Sequence, residues 1–263
     1  MKWKLAGWVV VGALLACSAY AAPQGGQENS QKTDADKDRA IKENNAKARA
    51  SNKLIPQANA ALLNKQWQQA EDLLKQLVEI NPEIWNYRQG LGTAQMNLGQ
   101  YEDALKSFDV GIKLAQKELE SKPPDGDAVN VKPGIAMMLT FEGNAYIKLK
   151  KNDLAIAAYT KAAAMDPNPA LAYFNLCATQ YNVGNVEGAE AACDKAIAAD
   201  PKKADAYFVK GSALYGDGKL DAKGKYILPP GTVEALKKYL ELAPEGAHAS
   251  DVKAMLDGVG VKY

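Results

Sequence analysis

Pro167 and Pro201 lie 34 residues apart, and their surroundings repeat with them. The stretch AMDPNPALAYFN is followed one period later by AADPKKADAYFVK. Asp166 therefore falls with Asp200, Tyr173 with Tyr207, Phe174 with Phe208, Ala155 with Ala189 and Lys161 with Lys195. A fixed period of this length marks a solenoid, in which each unit buries its apolar face only by stacking on its neighbours. The fold must therefore be assembled from short copies of one helical unit.

The clearest copy runs over residues 170–203. Its first half, ALAYFNLCATQYNV, spaces apolar residues by three and four, the helical period. Gly184-Asn185 breaks the pattern as a helix-ending glycine does, and VEGAEAACDKAIAAD forms a second helix stopped by Pro201. This pattern resembles the tetratricopeptide repeat, with Tyr173, Leu176, Cys177 and Gln180 in the first-helix slots. Ala189, Cys193 and Ala196 hold those of the second helix, before Pro201. Further copies are read at about 51–84, 85–118, 136–169 and 204–246, with a capping helix at about 247–260. The resemblance covers about 51–263. It implies an all-α fold, a right-handed superhelix of about five helix-turn-helix repeats. Extra residues at about 119–135 and 217–231 are rich in Gly, Pro and Asp, and are expected to be loops.

Ahead of the array, Lys2 and Lys4, the apolar run Leu5–Leu15 and Ala19-Tyr20-Ala21 make a leader pattern over residues 1–21. Leu14-Leu15-Ala16-Cys17 competes with it as a lipobox, with a leader of 1–16 and a lipidated Cys17. The expectation is an exported protein, periplasmic or secreted, or else an outer-membrane lipoprotein. Residues 22–50 read as a polar spacer that is partly helical, too poor in large apolar groups to offset its ordering entropy. Pro56 is expected to interrupt or restart any helix there. The net charge is +1 and the sequence reads as having no basic stripe or arginine cluster, which disfavours nucleic acid as a partner.

Cys177 and Cys193 sit about eight residues either side of Asn185, on the two helices of one unit. In an oxidising compartment that placement predicts an intra-repeat disulfide, with two buried thiols as the alternative. No arrangement for chemistry is visible. His248 is the single histidine, expected to be a solvated surface group, and no phosphate-binding loop or metal-ligand spacing accompanies it. No enzyme activity, no cofactor and no metal are expected.

What remains is a surface. The resemblance implies that first helices line a concave groove that takes a protein or peptide. Inward positions are then Gln89, Thr93 and Met96, followed by Met137, Thr140, Asn144 and Ile147. Phe174, Ala178, Tyr181 and Asn182 follow, then Phe208, Ser212 and Tyr215. Phe174, Tyr181, Phe208 and Tyr215 are the aromatic anchors, unless Phe174 and Phe208 pack between repeats as core. The expected role is a non-enzymatic scaffold, or alternatively a lipid-anchored subunit of an envelope assembly.

Overall fold

The computed structural model describes residues 34–121, 131–224 and 226–263. The leader, Cys17, residues 22–33 of the polar spacer and the middle of the first insertion lie outside them. The chain forms two compact units, divided between Gly134 and Ile135.

The first unit contains α1 (Asp34–Leu63), α2 (Trp67–Ile80), α3 (Trp85–Asn97), α4 (Tyr101–Ser121) and the first turn of α5 (Val131–Lys148). The second contains the rest of α5, α6 (Asn152–Met165), α7 (Ala170–Asn182), α8 (Val186–Ala199), α9 (Ala204–Gly216), α10 (Thr232–Leu242) and α11 (Ala249–Gly258). A two-stranded antiparallel hairpin, β1 (Lys219–Leu220) and β2 (Tyr226–Ile227), stands between α9 and α10. The architecture is an all-α helical-repeat solenoid, and the second insertion is a short hairpin rather than an irregular loop.

Each helix pair is closed by one recurring contact. Gly92 faces Phe108, Gly143 faces Tyr159 and Gly211 faces Leu236, so closely that a Cβ on any of these glycines would enter the partner side chain. The missing Cβ is what lets the two helix backbones approach. Ala58 and Leu74 hold the equivalent places in the first pair, both buried. Cys177 and Cys193 hold them in the pair α7–α8, also buried, with Cα atoms 5.0 Å apart and the two sulfurs in contact. One small and one large partner are thus replaced there by two of middle size.

The turns repeat as well. Lys65, Gly99, Lys150 and Gly184 all adopt left-handed backbone, one per period, and close the first helix of their pair. In each turn the next residue's N–H reaches back five positions, as in Gln100 N–H to the Gln95 carbonyl at 2.9 Å and Lys151 N–H to the Tyr146 carbonyl at 2.8 Å. Glycine tolerates this conformation, whereas lysine carries a Cβ penalty of about 1 kcal/mol or slightly more. Lys150 is exposed. Lys150→Gly should therefore stabilise the protein by about 0.5–1 kcal/mol, seen as a higher urea midpoint at unchanged slope. A lower midpoint would refute the strain at this turn. Between pairs, Asp166 accepts the N–H of Asn168 at 2.8 Å and Asp200 that of Lys202 at 3.0 Å, so the Asp-Pro signature is a side-chain-closed turn.

Pro56 does not interrupt α1, which runs unbroken across it. Pro56 and Asn52 are both exposed, so water can bond the Asn52 carbonyl that the proline leaves unpaired. The turns on its C-terminal side are held by Ala58, Ala61 and Leu62, packed against Leu74 and Leu77 of α2.

A charged group is buried in the first unit. Glu71 is 2% exposed. Its carboxylate binds Lys75 at 2.8 Å and accepts from Gln68 at 3.2 Å and Gln100 at 3.3 Å. Burial pushes its pKa up, but these partners outweigh it and hold the carboxyl below the ordinary glutamate value. Gln100 belongs to the α3–α4 turn, so the network ties α2 to the next pair. In the second unit Lys210 of α9 does the same for α8, pairing with Asp194 at 2.6 Å and Glu190 at 3.7 Å.

Candidate functional site

The first helices of the second unit carry most of the sequence-predicted groove residues, and the structure sorts them. Phe174 and Phe208 are 9% and 6% exposed and belong to the core of this unit. They are packing residues rather than free anchors. Phe174 shares its cluster with Ala206 and Val209 of α9, and Lys203 Nζ lies 4.7 Å over its ring. Phe208 is covered by the cap: His248 stacks on it at 4.1 Å with planes 12° apart, and Tyr239 tilts against it at 5.5 Å. His248 is accordingly not a solvated surface group. It is half-buried, its backbone N–H donates to the Tyr239 hydroxyl at 2.9 Å, and its ring Nδ1 lies 3.8 Å from Asp251.

Thr140, Ala178 and Ser212 are also buried, as are Gln89 and Thr93 in the first unit. Tyr215 is half-buried and engaged with the hairpin. Its ring meets that of Tyr226 at 5.5 Å, and its carbonyl accepts the Tyr226 hydroxyl at 2.6 Å. The insertion therefore holds this side chain in place and takes up part of its surface.

The accessible residues are fewer and concentrate on α7. Tyr181 is half-buried at the edge of the core, and Asn182 is exposed. Asn175 is half-buried about two turns before them, and Leu171 is an exposed aliphatic at 42%. Residues 171, 175 and 182 fall within about 40° of one another by helical spacing, and Tyr181 lies about 80–120° round the helix from them, beyond the buried Phe174 and Ala178. Leu171 was missed by the sequence reading, though Met137, one period earlier, marks the same slot. On α5, Asn144 is half-buried and accepts the Tyr159 hydroxyl at 2.7 Å, which leaves its amide hydrogens for another partner. Burial pushes the Tyr159 hydroxyl pKa upward, so it remains a donor at any ordinary pH. Met96, on the other unit, is half-buried.

Chemically this surface offers an amide, a phenol and an aliphatic contact. It offers no nucleophile beside a base. Among the described residues no group of His, Cys, Asp and Glu is placed to hold a metal ion, and no helix is long and apolar enough to cross a membrane. Elsewhere, a hollow of about 440 Å³ lies between α10 and α11, lined by Lys237, Leu240, Glu241, Pro244, Lys253 and Tyr263. None of the groove residues takes part in it.

Comparison with known proteins agrees with the repeat register. Residues 61–121 and 179–224 match family models described as tetratricopeptide repeat, and residues 143–184 match one described as TPR repeat. No curated protein sequence matches the chain. Solved structures share the fold at low identity. MamA 41-end from Desulfovibrio magneticus RS-1 is 21% identical with a TM-score of 0.57, over 75% of this chain and 97% of that one. YrrB, described as a TPR protein with an unusual peptide-binding site, is 17% identical with a TM-score of 0.55, over 76% and 90%. A tetratricopeptide repeat protein from Parabacteroides merdae ATCC 43184 is 15% identical with a TM-score of 0.58, over 80% and 74%. With the glycine–ring contacts, left-handed turns and Asp-Pro turns recurring through the helix pairs that these matches cover, the chain belongs to the tetratricopeptide-repeat family.

Proposed function

We propose that the protein is an exported, non-enzymatic scaffold that holds a protein or peptide partner against the accessible face of α7. The observation that carries this reading is the accessible row Leu171, Asn175 and Asn182, with the half-buried Tyr181 beside it on the same helix. It is accessible apolar and amide surface on a helix otherwise locked by Cys177, Phe174 and Ala178. A rigid helix bearing a phenol and two carboxamides suits an extended chain, whose backbone groups the amides can pair and whose side chains Leu171 and Tyr181 can cover. The family resemblance and the description of YrrB as peptide-binding support the class of partner. Export is supported by the leader pattern of residues 1–21, and with it a bridge between Cys177 and Cys193.

Capture of partners from an envelope extract tests the surface. Tyr181→Ala with Asn182→Ala should reduce the captured partner about tenfold or more while helicity stays unchanged. Tyr215 is a poor choice for this test, because its ring and carbonyl support the hairpin. Equal capture by both proteins would rule out this face of α7.

A further inference from the structure

Every described residue from Asp36 to Lys47 is exposed, although all of them are helical. Because α1 continues without a break through Pro56, this arm shares one rotational register with the part of the helix that packs on α2. At about 100° per residue, Arg39, Lys42, Arg49 and Lys53 fall within about 80° of arc and extend over about 21 Å. Ser51, Ala58 and Leu62, which face the core, lie on the opposite side. The four cations therefore form a stripe turned away from the protein body. All four are exposed, and none forms an ion pair among the described residues. Asp38 and Glu43 border the stripe, and Glu43 is turned to Lys47 at 2.8 Å. Between the cations stand only Ala46 and Ala50.

We infer that this stripe seats the arm on an anionic phospholipid surface. A protein partner would need an apolar or aromatic centre to bury, and the stripe has none. Helices that insert into the interface need a broad apolar face. Here the one exposed large aliphatic is Ile41, on the other side of the arm. What remains is electrostatic adsorption to headgroup phosphates, to which each nearby Lys or Arg contributes. The arm also lies within the polar stretch of residues 22–50 that follows the leader pattern, so it is the helical part of the chain nearest in sequence to a membrane-directed segment. The near-neutral chain, at net +1, supplies no strong field to oppose or replace it. The inference is independent of the α7 surface, because no residue is shared.

Co-sedimentation of the processed protein with vesicles tests it. Cys17 is replaced by serine in every sample, so that no acyl chain contributes. At low salt and millimolar lipid, the protein should bind vesicles containing about one-third phosphatidylglycerol and ignore pure phosphatidylcholine. Each of R39Q, K42Q, R49Q and K53Q should lower the partition about fivefold, and the four together should abolish it, as should about 0.5 M salt. A control with the same loss of charge, K106Q with K113Q, K117Q and K237Q, should bind as well as the parent. The inference is overturned if the parent does not sediment with anionic vesicles, or if the stripe variant still does. It is overturned equally if the control loses as much binding, or if the parent prefers duplex DNA or an acidic protein to the vesicles.

Discussion

Gly143→Leu should cost about 3 kcal/mol or more and melt the α5–α6 pair, because the new side chain must occupy the space of the Tyr159 ring. The ring cannot step aside. Tyr159 is fully buried and its hydroxyl is tied to Asn144 at 2.7 Å. Tyr159→Ala alone should also cost about 3–5 kcal/mol, by leaving a cavity. The informative protein is the double variant. If close approach is what the glycine provides, adding Tyr159→Ala to Gly143→Leu should recover stability, leaving the double variant above either single one in urea. Simple addition of the two losses would show that the contact is not what closes the pair.

Reduction should have the second large effect. For a bridge closing 16 residues, the chain-entropy estimate is about 3 kcal/mol. Denaturation with and without a dithiol reductant should differ by an amount of that order. Mass spectrometry after alkylation of the folded, unreduced protein should find neither cysteine modified, and two modified thiols would sink the bridge. The repeats themselves supply a control. Cys177→Gly with Cys193→Phe restores the pairing found at Gly92 and Phe108, and this variant should fold with the same stability whether or not reductant is present. A persistent reductant effect in it would place the redox sensitivity elsewhere.

The period of 34 made the helix pairs legible because proline, glycine and the small residues recur wherever the backbone needs them. The two insertions stand out against it for the same reason. Other features depend on neighbours that a period does not reveal. Phe174 and Tyr181 lie on the same helix seven residues apart, yet the first is buried in the core cluster and the second only packs against its edge. Phe208 looks like its copy Phe174, but its cover is His248, which has no counterpart in the other pairs. A single histidine in a polar stretch gave no sign that it would stack. Pro56 misled more directly: a rule about helix interiors applies where the orphaned carbonyl is buried, and here water can reach it. Reading a break at Pro56 also hid the shared register of Arg39 and Lys53, since residues on two separate helices have no common face.

The small-against-large contact inside each pair also restricts how such an array can drift. A pair holding glycine and a ring reaches two cysteines only by changing one partner first. Changing the glycine first drives a thiol into the ring, whereas changing the ring first leaves a void beside a glycine, which a packed helix pair survives more readily. A unit passing from a glycine–ring pair to the pair Cys177 and Cys193 would thus meet the lesser cost through a hollow intermediate, with the second-helix cysteine arriving first. A copy of this unit carrying glycine at the first place and cysteine at the second would be the surviving trace of that route.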